Sequence, residues 1–329
     1  MSRSVSGPPA ARKPMPTILE LIRLATPYLA ARGVPNPRLD AEVLLADELG
    51  LSRLDLYVQF DRPLVKSEVD EYRRRIVARG HRCPVALITG KKEFFGLELM
   101  IRPGVLIPRP ETETVVEEAL RVAADRLSSR RLETAGGPSA EGPGEAPVAG
   151  EAGPGLKVAD VGCGSGAIGL AIASRVSGSE VWAIDCSPVA RELTQANARR
   201  LGLVDRVHVV AGDLLQTSTP LPLLDLVVSN PPYIPSAELT RLAPEIRDYE
   251  PRLALDGGPD GLAVYRRLLP EARRFLAGGG YAVVEIAPDR GEAVRRIGEA
   301  AGLSFLRITR DLAGHDRVAI FRKDEGEAP

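Results

Sequence analysis

Apolar runs of strand length alternate with helix-like segments through most of the C-terminal half of the chain. LKVADVG, EVWAID, RVHVVAG, LLDLVVS and GYAVVEIA have the composition of buried strands, and helical patterns begin at Ser165, Pro188, Leu262 and Arg290. Strands and helices in this order build a mostly parallel sheet that is covered by helices on both faces. The last stretch, LSFLRITRDLAGHDRVAIFR, predicts two strands with a short connection, an antiparallel hairpin at the sheet edge.

The N-terminal region is predicted to be a small helical domain over residues 17–84. TILELIRLATPYLAARG opens with the capping box Thr17–Glu20, and NPRLDAEVLLADELG has Asn36 as its N-cap. A third helix, SEVDEYRRRIVARG, carries Arg73–Arg75. These arginines either form a solvated face or contact a partner, and both interpretations stay open.

Residues 85–110 predict a β-hairpin linker, because β-rich runs surround Gly90 and Gly96. Residues 111–329 then form the second domain. Its first helix is predicted within PRPETETVVEEALRVAADRL, whose first-turn acids suit the helix dipole.

Two segments contain too few apolar side chains to bury a core. Residues 1–16 are predicted to be a disordered tail. Residues 133–155 are rich in Gly, Ala, Pro and Glu and are predicted to be a disordered insert in the second domain. An inert insertion is the favoured interpretation, and a regulatory role is the alternative.

Composition limits the classes of function. The 329 residues carry a formal net charge of −1 with both signs mixed along the chain, so no broad basic surface for duplex nucleic acid is expected. The 3 cysteines lack metal-ligand spacing, which favours a reduced protein with neither a disulfide framework nor a metal. Neither a secretion signal nor an apolar run of membrane-spanning length is present. These features predict a soluble cytoplasmic protein with no direct contact to nucleic acid or membrane.

A glycine-rich turn, DVGCGSGAIG, follows the first strand of the alternating region and opens a helix. Gly162, Gly164 and Gly166, with Cys163 and Ser165 between them, allow a sharp turn and the close approach of a ligand to the backbone. GSGAIG also matches the dinucleotide pattern G-x-G-x-x-G, so a dehydrogenase has to be considered.

Acidic residues stand at the ends of successive predicted strands. Asp160 precedes the first glycine by two positions, Asp185 ends the next strand, and Asp213 ends the third. Asp185 can accept both hydroxyls of a ribose, and Asp213 would lie beside an adenine with Leu214 as an apolar wall. Such a set suits a ligand with ribose and adenine but no pyrophosphate, although NAD would also use Asp185. Asp213 could alternatively be a turn former.

The fourth strand ends abruptly in LVVSNPPYIP, because Pro231 and Pro232 cannot continue a central strand. The side-chain carbonyl of Asn230 and the main-chain carbonyl of Pro231 can together accept both hydrogens of a planar NH₂ group. Tyr233 can lie over the plane of that group. The segment therefore predicts a rigid receptor for an amide or arylamine nitrogen.

Such a nitrogen is a poor nucleophile because its lone pair is delocalised. Two acceptors for its hydrogens would aim the lone pair at a sulfonium methyl group. Orientation of this kind can lower the activation barrier of the reaction by about 7 kcal/mol or more. No strong general base is required. Accordingly, His81, His208 and His315 lie away from the motif in the sequence and are interpreted as structural or exposed.

The sequence resembles the class I S-adenosylmethionine-dependent methyltransferases with an N-P-P-Y motif. More closely, it is similar to the bacterial peptide-chain release factor glutamine N5-methyltransferases. Stretches that carry the resemblance include DVGCGSGAIGLAIA, AIDCSPVARELTQANA, VVSNPPYIP and YEPRLALDGGPDGLAVYRRLL. PGVLIPRPETE and RDLAGHDRV discriminate this family from others. The resemblance implies an α/β fold with a Rossmann-like seven-stranded sheet, parallel with an antiparallel C-terminal edge hairpin, and a small N-terminal helical domain.

The resemblance also implies the reaction: methyl transfer from S-adenosylmethionine to the glutamine of the Gly-Gly-Gln loop of class 1 release factors, leaving S-adenosylhomocysteine. A monomer whose helical domain helps to hold the release factor is expected, with the segment Pro108–Glu113 closing over the site. The implied site residues fall into two groups. Those for the cofactor are Gly162, Cys163, Gly164, Ser165, Gly166, Asp185, Asp213, Leu214 and Asn230; those for the glutamine are Asn230, Pro231, Pro232 and Tyr233, with Asn230, Pro231 and Tyr233 catalytic.

The chain departs from this family in three places. The insert at residues 133–155 is not part of the usual pattern, and EIAPDRG replaces a more usual sequence with Gly and Gln. Leu214 stands where relatives often carry an aromatic residue, which weakens the expected stacking on adenine.

Three rival functions differ in substrate or class. Methylation of a ribosomal-protein glutamine would use the same N-P-P-Y core, but IPRPETE argues against it. Methylation of adenine N6 in DNA would require a target-recognition domain and a basic face. The third rival is a protein that retains the cofactor pocket but catalyses no reaction. The intact N-P-P-Y motif argues against this rival.

Overall fold

The computed structural model of the protein describes residues 15–134 and 155–326. The chain divides into two compact units, Met1–Thr89 and Gly90–Pro329. The tail predicted over residues 1–16 and the insert predicted over residues 133–155 lie almost entirely outside the described residues.

The first unit is a group of helices around a small apolar core. Its helices are α1 (Ile18–Ala30), α2 (Pro37–Leu49), α3 (Arg53–Val58), α4 (Lys66–Gly80) and α5 (Val85–Thr89). α1 begins at the predicted capping box, where the Glu20 N–H donates to Thr17 Oγ1 (3.3 Å) and the Thr17 N–H donates to the Glu20 carboxylate (2.9 Å). Leu29, Leu44 and Ile76, from α1, α2 and α4, are buried in the same cluster.

The arginine-rich stretch of α4 is partly engaged within this unit. The Arg75 guanidinium pairs with Asp47 (2.6 Å) and Glu48 (3.0 Å) of α2. The Arg74 guanidinium pairs with Glu71 of its own helix. Arg75 therefore joins α4 to α2, and contact of Arg75 with a partner would require these pairs to break.

The segment from residue 85 to residue 100 begins as a helix, where the sequence had predicted a β-rich run. Val85–Thr89 forms α5, and the N–H groups of Leu87 and Ile88 donate to Pro84 O (3.0 and 3.2 Å). A short apolar run does not distinguish a strand from a buried helix, and a preceding proline suits a helix start. The hairpin itself consists of β1 (Lys91–Phe94) and β2 (Leu97–Met100).

The second unit is built around an eight-stranded sheet. Its strands are β3 (Lys157–Val161), β4 (Glu180–Asp185), β5 (Val207–Asp213), β6 (Gln216–Thr217), β7 (Leu224–Ser229), β8 (Leu276–Glu285), β9 (Ser304–Arg310) and β10 (Asp316–Arg322). They lie in the order β6-β5-β4-β3-β7-β8-β10-β9. β3, β4, β5, β7 and β8 are parallel, and β10 is antiparallel to both β8 and β9. The predicted parallel sheet and its C-terminal edge hairpin are confirmed; the strand beyond the predicted seven is β6, with 2 residues.

Helices cover both faces of this sheet. They are α6 (Glu113–Thr134), α7 (Ala167–Arg175), α8 (Pro188–Arg200), α10 (Ala263–Phe275) and α11 (Gly291–Ala300), and the short helix α9 (Pro244–Arg247) lies in the segment between β7 and α10. In β7, Leu226 and Val228 belong to the core on the side of α6 and α7, and Val227 to the core on the side of α10. Because both faces of the central strands are buried, polar functional groups can stand only at the strand ends and in the loops that follow them.

In the part of the chain that the structure describes, no helix combines the length and the apolar composition that crossing a bilayer requires.

Candidate active site

The glycine-rich turn connects β3 to α7 at the carboxyl edge of the sheet. Gly162, Gly164 and Gly166 all have left-handed φ values, of 72°, 56° and 83°. At Gly162 a Cβ atom would meet nothing within 4 Å, so the backbone conformation rather than space requires glycine there. At Gly166 space matters as well, since a Cβ would lie 2.8 Å from Leu170 Cδ1.

Side chains of α8 hold the outer carbonyls of this turn. Thr194 Oγ1 donates to Gly164 O (3.0 Å), and Asn197 Nδ2 donates to Ser165 O (2.9 Å). The N–H groups of Gly162 and Cys163 donate to Ile184 O of β4 (2.8 and 3.0 Å). The turn is therefore fastened on both sides before any ligand binds. Sequence analysis missed these two α8 residues, although both stand in the stretch LTQANA, which carries part of the family resemblance.

Asp185 ends β4 and braces the same turn. Its Oδ2 accepts from the Gly164 N–H (2.9 Å) and its Oδ1 accepts from the Ser187 N–H (2.8 Å). A carboxylate oxygen has lone pairs for more than one donor, so both oxygens keep accepting capacity towards a ligand. Asp185 borders the cavity described below.

Asp160 faces away from that cavity, unlike the other strand-end acids. It is 1% exposed, and its Oδ2 accepts from the Gly169 N–H of α7 (2.8 Å). Burial, with a smaller contribution from the charge of Asp185, raises the pKa of Asp160 to about 7. Asp160 therefore supports the helix behind the turn and is not among the residues that border the cavity.

Asp213 and Leu214 stand at the end of β5. The Asp213 carboxylate is exposed and pairs with Arg267 of α10 (2.7 Å). Leu214 has a positive φ of 55°, unusual for a residue with a side chain, and it borders the cavity together with Asp213 and Arg267. Arg267 was missed by sequence analysis, because nothing local connects it to Asp213.

The N-P-P-Y segment follows β7 directly. Asn230 Nδ2 donates to Thr112 Oγ1 (3.1 Å), which joins the strand end to the turn before α6. After the two prolines, the Ile234 N–H donates to Leu255 O (3.0 Å) and the Gly257 N–H donates to Ile234 O (2.8 Å). Beyond the prolines the chain thus forms an isolated bridge with the segment around Asp256, and its pairing with β3 and β8 ends at Ser229.

Tyr233 packs against the glycines of the stretch LDGGPDG. A Cβ atom at Gly261 would lie 2.4 Å from Tyr233 O, so only glycine fits there. Burial, and to a lesser extent the negative charge of Glu285, raises the pKa of the Tyr233 phenol to about 12. The phenol is therefore neutral at physiological pH.

An ion pair joins two loops beside the site. Arg109 Nη2 lies 2.6 Å from Glu250 Oε1, and the Glu250 side chain is 1% exposed. Arg109 belongs to IPRPETE and Glu250 to YEPRLAL, so two stretches of the family resemblance meet here. Sequence analysis placed Arg109 and Thr112 only as members of the segment Pro108–Glu113, and it indicated no role for Glu250.

One cavity of about 260 Å³ brings most of the expected residues together. Its walls include Gly162, Cys163, Gly164, Ser165, Asp185, Asp213, Leu214, Asn230, Pro231 and Pro232. Thr112 and Pro108 from the segment before α6 also border it. Gly166 and Tyr233 are not among the lining residues, although each is next in sequence to one that is. Within the described residues, no cluster of His, Cys, Asp or Glu is arranged to hold a metal ion.

Comparison with known proteins agrees with this arrangement. A family model described as PrmC N-terminal domain matches residues 20–90, and one described as Methyltransferase small domain matches residues 151–246. A release factor glutamine methyltransferase of Geobacter sulfurreducens is 40% identical over 306 residues, covering 92% of this chain and 95% of that protein. The protein of the same name from Moorella thermoacetica is 39% identical over 311 residues, covering 94% of this chain and 100% of its own.

Among solved structures, a methyltransferase from Pyrococcus furiosus aligns with a TM-score of 0.46 and 18% identity, over 77% of this chain and 98% of that one. That similarity is too low to bear on function. Identity to the sequence relatives is high and extends over both units, from the N-terminal helices to the C-terminal hairpin. The chain belongs to the release factor glutamine methyltransferase family.

Proposed function

We propose that the protein transfers a methyl group from S-adenosylmethionine to the side-chain amide nitrogen of the glutamine in the Gly-Gly-Gln loop of a class 1 peptide-chain release factor. The main observation behind this proposal is the position of Asn230. It borders the same cavity as the glycine turn and Asp185, so an amide receptor and a nucleoside-binding edge share one space.

The residues around the cavity suit the adenosyl group of S-adenosylmethionine. The left-handed glycines leave the backbone of the turn uncovered, and the Asp185 oxygens keep lone pairs for the ribose hydroxyls. Leu214 offers an apolar wall to the adenine, with the Asp213–Arg267 pair at its edge. When bound, S-adenosylmethionine supplies an electrophilic methyl group on a sulfonium sulfur, and S-adenosylhomocysteine is the product.

Asn230 and Pro231 would receive the glutamine amide. Because Asn230 Nδ2 is engaged by Thr112, the carbonyl oxygen on the other arm of the amide is left to accept an N–H from a substrate. The Pro231 carbonyl would accept the second N–H, and Pro232 keeps the backbone rigid. Two acceptors held in place would orient the nitrogen lone pair, which is the principal catalytic contribution in this proposal.

Proton removal needs no dedicated base in this reaction. An amide nitrogen becomes strongly acidic once it is alkylated, so water can take its proton. The Tyr233 phenol, whose pKa burial raises to about 12, is unsuited to act as an anionic base at neutral pH. Tyr233 follows the cavity-lining Pro232 and does not itself border the cavity, so its proposed contact with the glutamine side chain lies at the margin of that space.

The expected partner is a release factor, and no direct contact with nucleic acid or membrane is part of the proposal. The helical first unit would help to hold that protein, and the enzyme would act as a monomer in the cytoplasm. The names of the relatives support the choice of substrate.

The proposal is tested by incubating the protein with methyl-labelled S-adenosylmethionine and four acceptors. These are a class 1 release factor, the same factor with Gln→Ala in its Gly-Gly-Gln loop, total ribosomal proteins, and duplex DNA. We expect label on the unmodified release factor alone. Label on DNA or on a ribosomal protein, or equal label on the Gln→Ala factor, would reject the proposed substrate.

A further inference from the structure

A buried carboxyl group lies next to Asn230 in the sheet. Ser229 of β7 is paired with Val284 of β8, so the following residues, Asn230 and Glu285, are neighbours at the ends of adjacent parallel strands. Glu285 is 1% exposed. Its Oε2 makes no hydrogen bond of good geometry with any described residue. A buried carboxyl that is not fully satisfied is unfavourable for stability, which points to a role other than stabilisation.

The surroundings of Glu285 come from several elements. Thr112 and Glu111 approach it from the segment before α6, Tyr233 from the N-P-P-Y segment, and Arg317 from β10. Burial raises the pKa of Glu285 to about 7, while the Thr112 hydroxyl, the Arg317 charge and the Tyr233 hydroxyl lower it and the Glu111 charge raises it. In α10, the buried Tyr265 hydroxyl donates to the backbone carbonyl of Glu285 (2.7 Å).

Arg317 is itself held in place. Its Nε and Nη2 donate to Asp311 Oδ2 (3.1 and 2.9 Å), and both residues belong to RDLAGHDRV. Thr112 belongs to PGVLIPRPETE. The two stretches that most distinguish this sequence therefore meet around Glu285, with Asn230 beyond Thr112.

Thr112 accepts from Asn230 Nδ2, and its hydroxyl also acts on the charge of Glu285, so it can couple the two side chains. A hydroxyl has one proton, and it can either donate to or accept from an amide. If its proton points to the Glu285 carboxylate, its oxygen can only accept from Asn230. Asn230 must then present Nδ2 to Thr112, as observed at 3.1 Å, and its carbonyl is left for the substrate. Without the carboxylate, Thr112 could donate to Asn230 Oδ1 and the amide could turn over.

We infer that Glu285 is a positioning residue, which acts through the Thr112 hydroxyl to hold the Asn230 amide with its carbonyl towards the substrate nitrogen. The positive charge of Arg317 favours the anionic form of Glu285, against the larger effect of burial. The inference rests on the proposed function for the identity of that nitrogen. Protonation of Glu285 gives Thr112 a donor instead of an acceptor, so the orientation of Asn230 is lost as the pH falls through the pKa of Glu285.

The kinetic test compares Glu285→Gln, Thr112→Val and Thr112→Ser with the wild-type protein. The matched control is Glu118→Gln, a carboxylate that is 1% exposed and bound to Arg121 and Arg307, away from the cavity. We expect Thr112→Val to lower kcat by about tenfold to a hundredfold, with affinity for S-adenosylmethionine within about twofold of wild type. Thr112→Ser should recover most of that loss.

The pH profile separates positioning from general support of the fold. In the wild type and in Glu118→Gln, kcat should fall on the acidic side with a midpoint near 7. Glu285→Gln should lack this acidic limb, because Gln does not titrate. An unchanged acidic limb in Glu285→Gln, or wild-type kcat in Thr112→Val, would overturn the inference.

A second readout does not depend on activity. The side-chain NH₂ resonances of Asn230 are observed in ¹⁵N-labelled protein and assigned by their loss in Asn230→Asp. They should shift with a midpoint near 7 in the wild type and in Glu118→Gln, and stay flat in Glu285→Gln. Resonances that do not titrate, or that titrate equally in Glu285→Gln, would reject the role of Glu285. Absence of release-factor methylation by the wild type would instead reject the proposed function and leave this measurement to decide the inference.

Discussion

The Arg109 guanidinium lies 2.6 Å from the Glu250 carboxylate, and this pair joins the loop before α6 to the loop that follows α9. Pro108 and Pro251, the sequence neighbours of these two residues, both border the cavity. Burial raises the pKa of Glu250, and the guanidinium acts against that shift. The pair therefore connects two loops that border the candidate site. The guanidinium also supplies the positive charge that the buried carboxylate needs.

Replacing Arg109 should destabilise the protein, because the buried Glu250 carboxylate depends on the charge of Arg109. Arg109→Ala leaves Glu250 buried without its partner, which typically lowers the free energy of unfolding by about 3 kcal/mol. The loss should be larger at pH 8 than at pH 5.5, because the unpaired carboxyl can be protonated at the lower pH. Urea unfolding at both pH values measures it. Arg247→Ala, which removes an exposed partner of Asp248, is the control and should change stability little.

Asn230→Ala should separate turnover from cofactor binding. The substitution removes one of the two acceptors for the glutamine amide and leaves the glycine turn and Asp185 untouched. We expect kcat to fall by about a hundredfold to a thousandfold, while the Kd for S-adenosylmethionine changes by about threefold or less. Single-turnover methylation and calorimetric titration give the two quantities. Equal losses in both would contradict a role of Asn230 that is specific to turnover.

The two strand-end acids of the cavity should differ in importance. Asp185→Ala removes the acceptors of the Gly164 and Ser187 N–H groups together with those proposed for the ribose. Its Kd for S-adenosylmethionine should rise by about tenfold or more. Asp213→Ala removes an exposed carboxylate paired with Arg267 and should raise the Kd by about threefold or less. The reverse order would show that the adenine edge, and not the ribose, dominates recognition.

Asp160→Asn should change how stability depends on pH. The pKa of Asp160 is 3.8 in the unfolded chain and about 7 in the folded protein, so folding takes up a proton between these values. Its contribution to stability is full below about pH 4 and is lost as the pH rises to about 7. Asparagine can still accept from the Gly169 N–H and does not titrate. The stability of Asp160→Asn relative to the wild type should therefore rise with pH, by about 4 kcal/mol at pH 8.

Urea midpoints of both proteins between pH 4 and pH 8 test this. Asp205→Asn, at an exposed position, is the control and should follow the wild-type curve. A constant difference between Asp160→Asn and the wild type across the whole range would contradict the raised pKa of Asp160.

Local patterns predicted the elements around the site with good accuracy. The glycines of DVGCGSGAIG occupy left-handed conformations because a sharp turn from β3 to α7 requires them. The proline pair after Asn230 ends β7 where the sequence indicated, because proline cannot continue the ladder of hydrogen bonds. The run VALIT was predicted wrongly, since so short a run, with four apolar residues, has no clear period and the preceding Pro84 favours a helix start.

Side-chain partners were the part that local patterns did not predict. Thr194 and Asn197 of α8 hold the glycine turn, and Arg267 of α10 pairs with Asp213. Each of these contacts joins segments far apart in the chain. No periodicity or motif within one segment reports which residue of another segment will face it.

The sequence by itself determined the alternation of strands and helices, the backbone of the glycine turn, and the break that places Asn230 at a strand end. These depend on backbone sterics and on the spacing of apolar residues, which act over a few positions. Only the tertiary structure decided that Thr112 meets Asn230, that Arg109 meets Glu250, and that Glu285 is buried next to Asn230. Those relationships arise from the packing of β7, β8 and β10 with the loops around them, and packing depends on the whole chain at once.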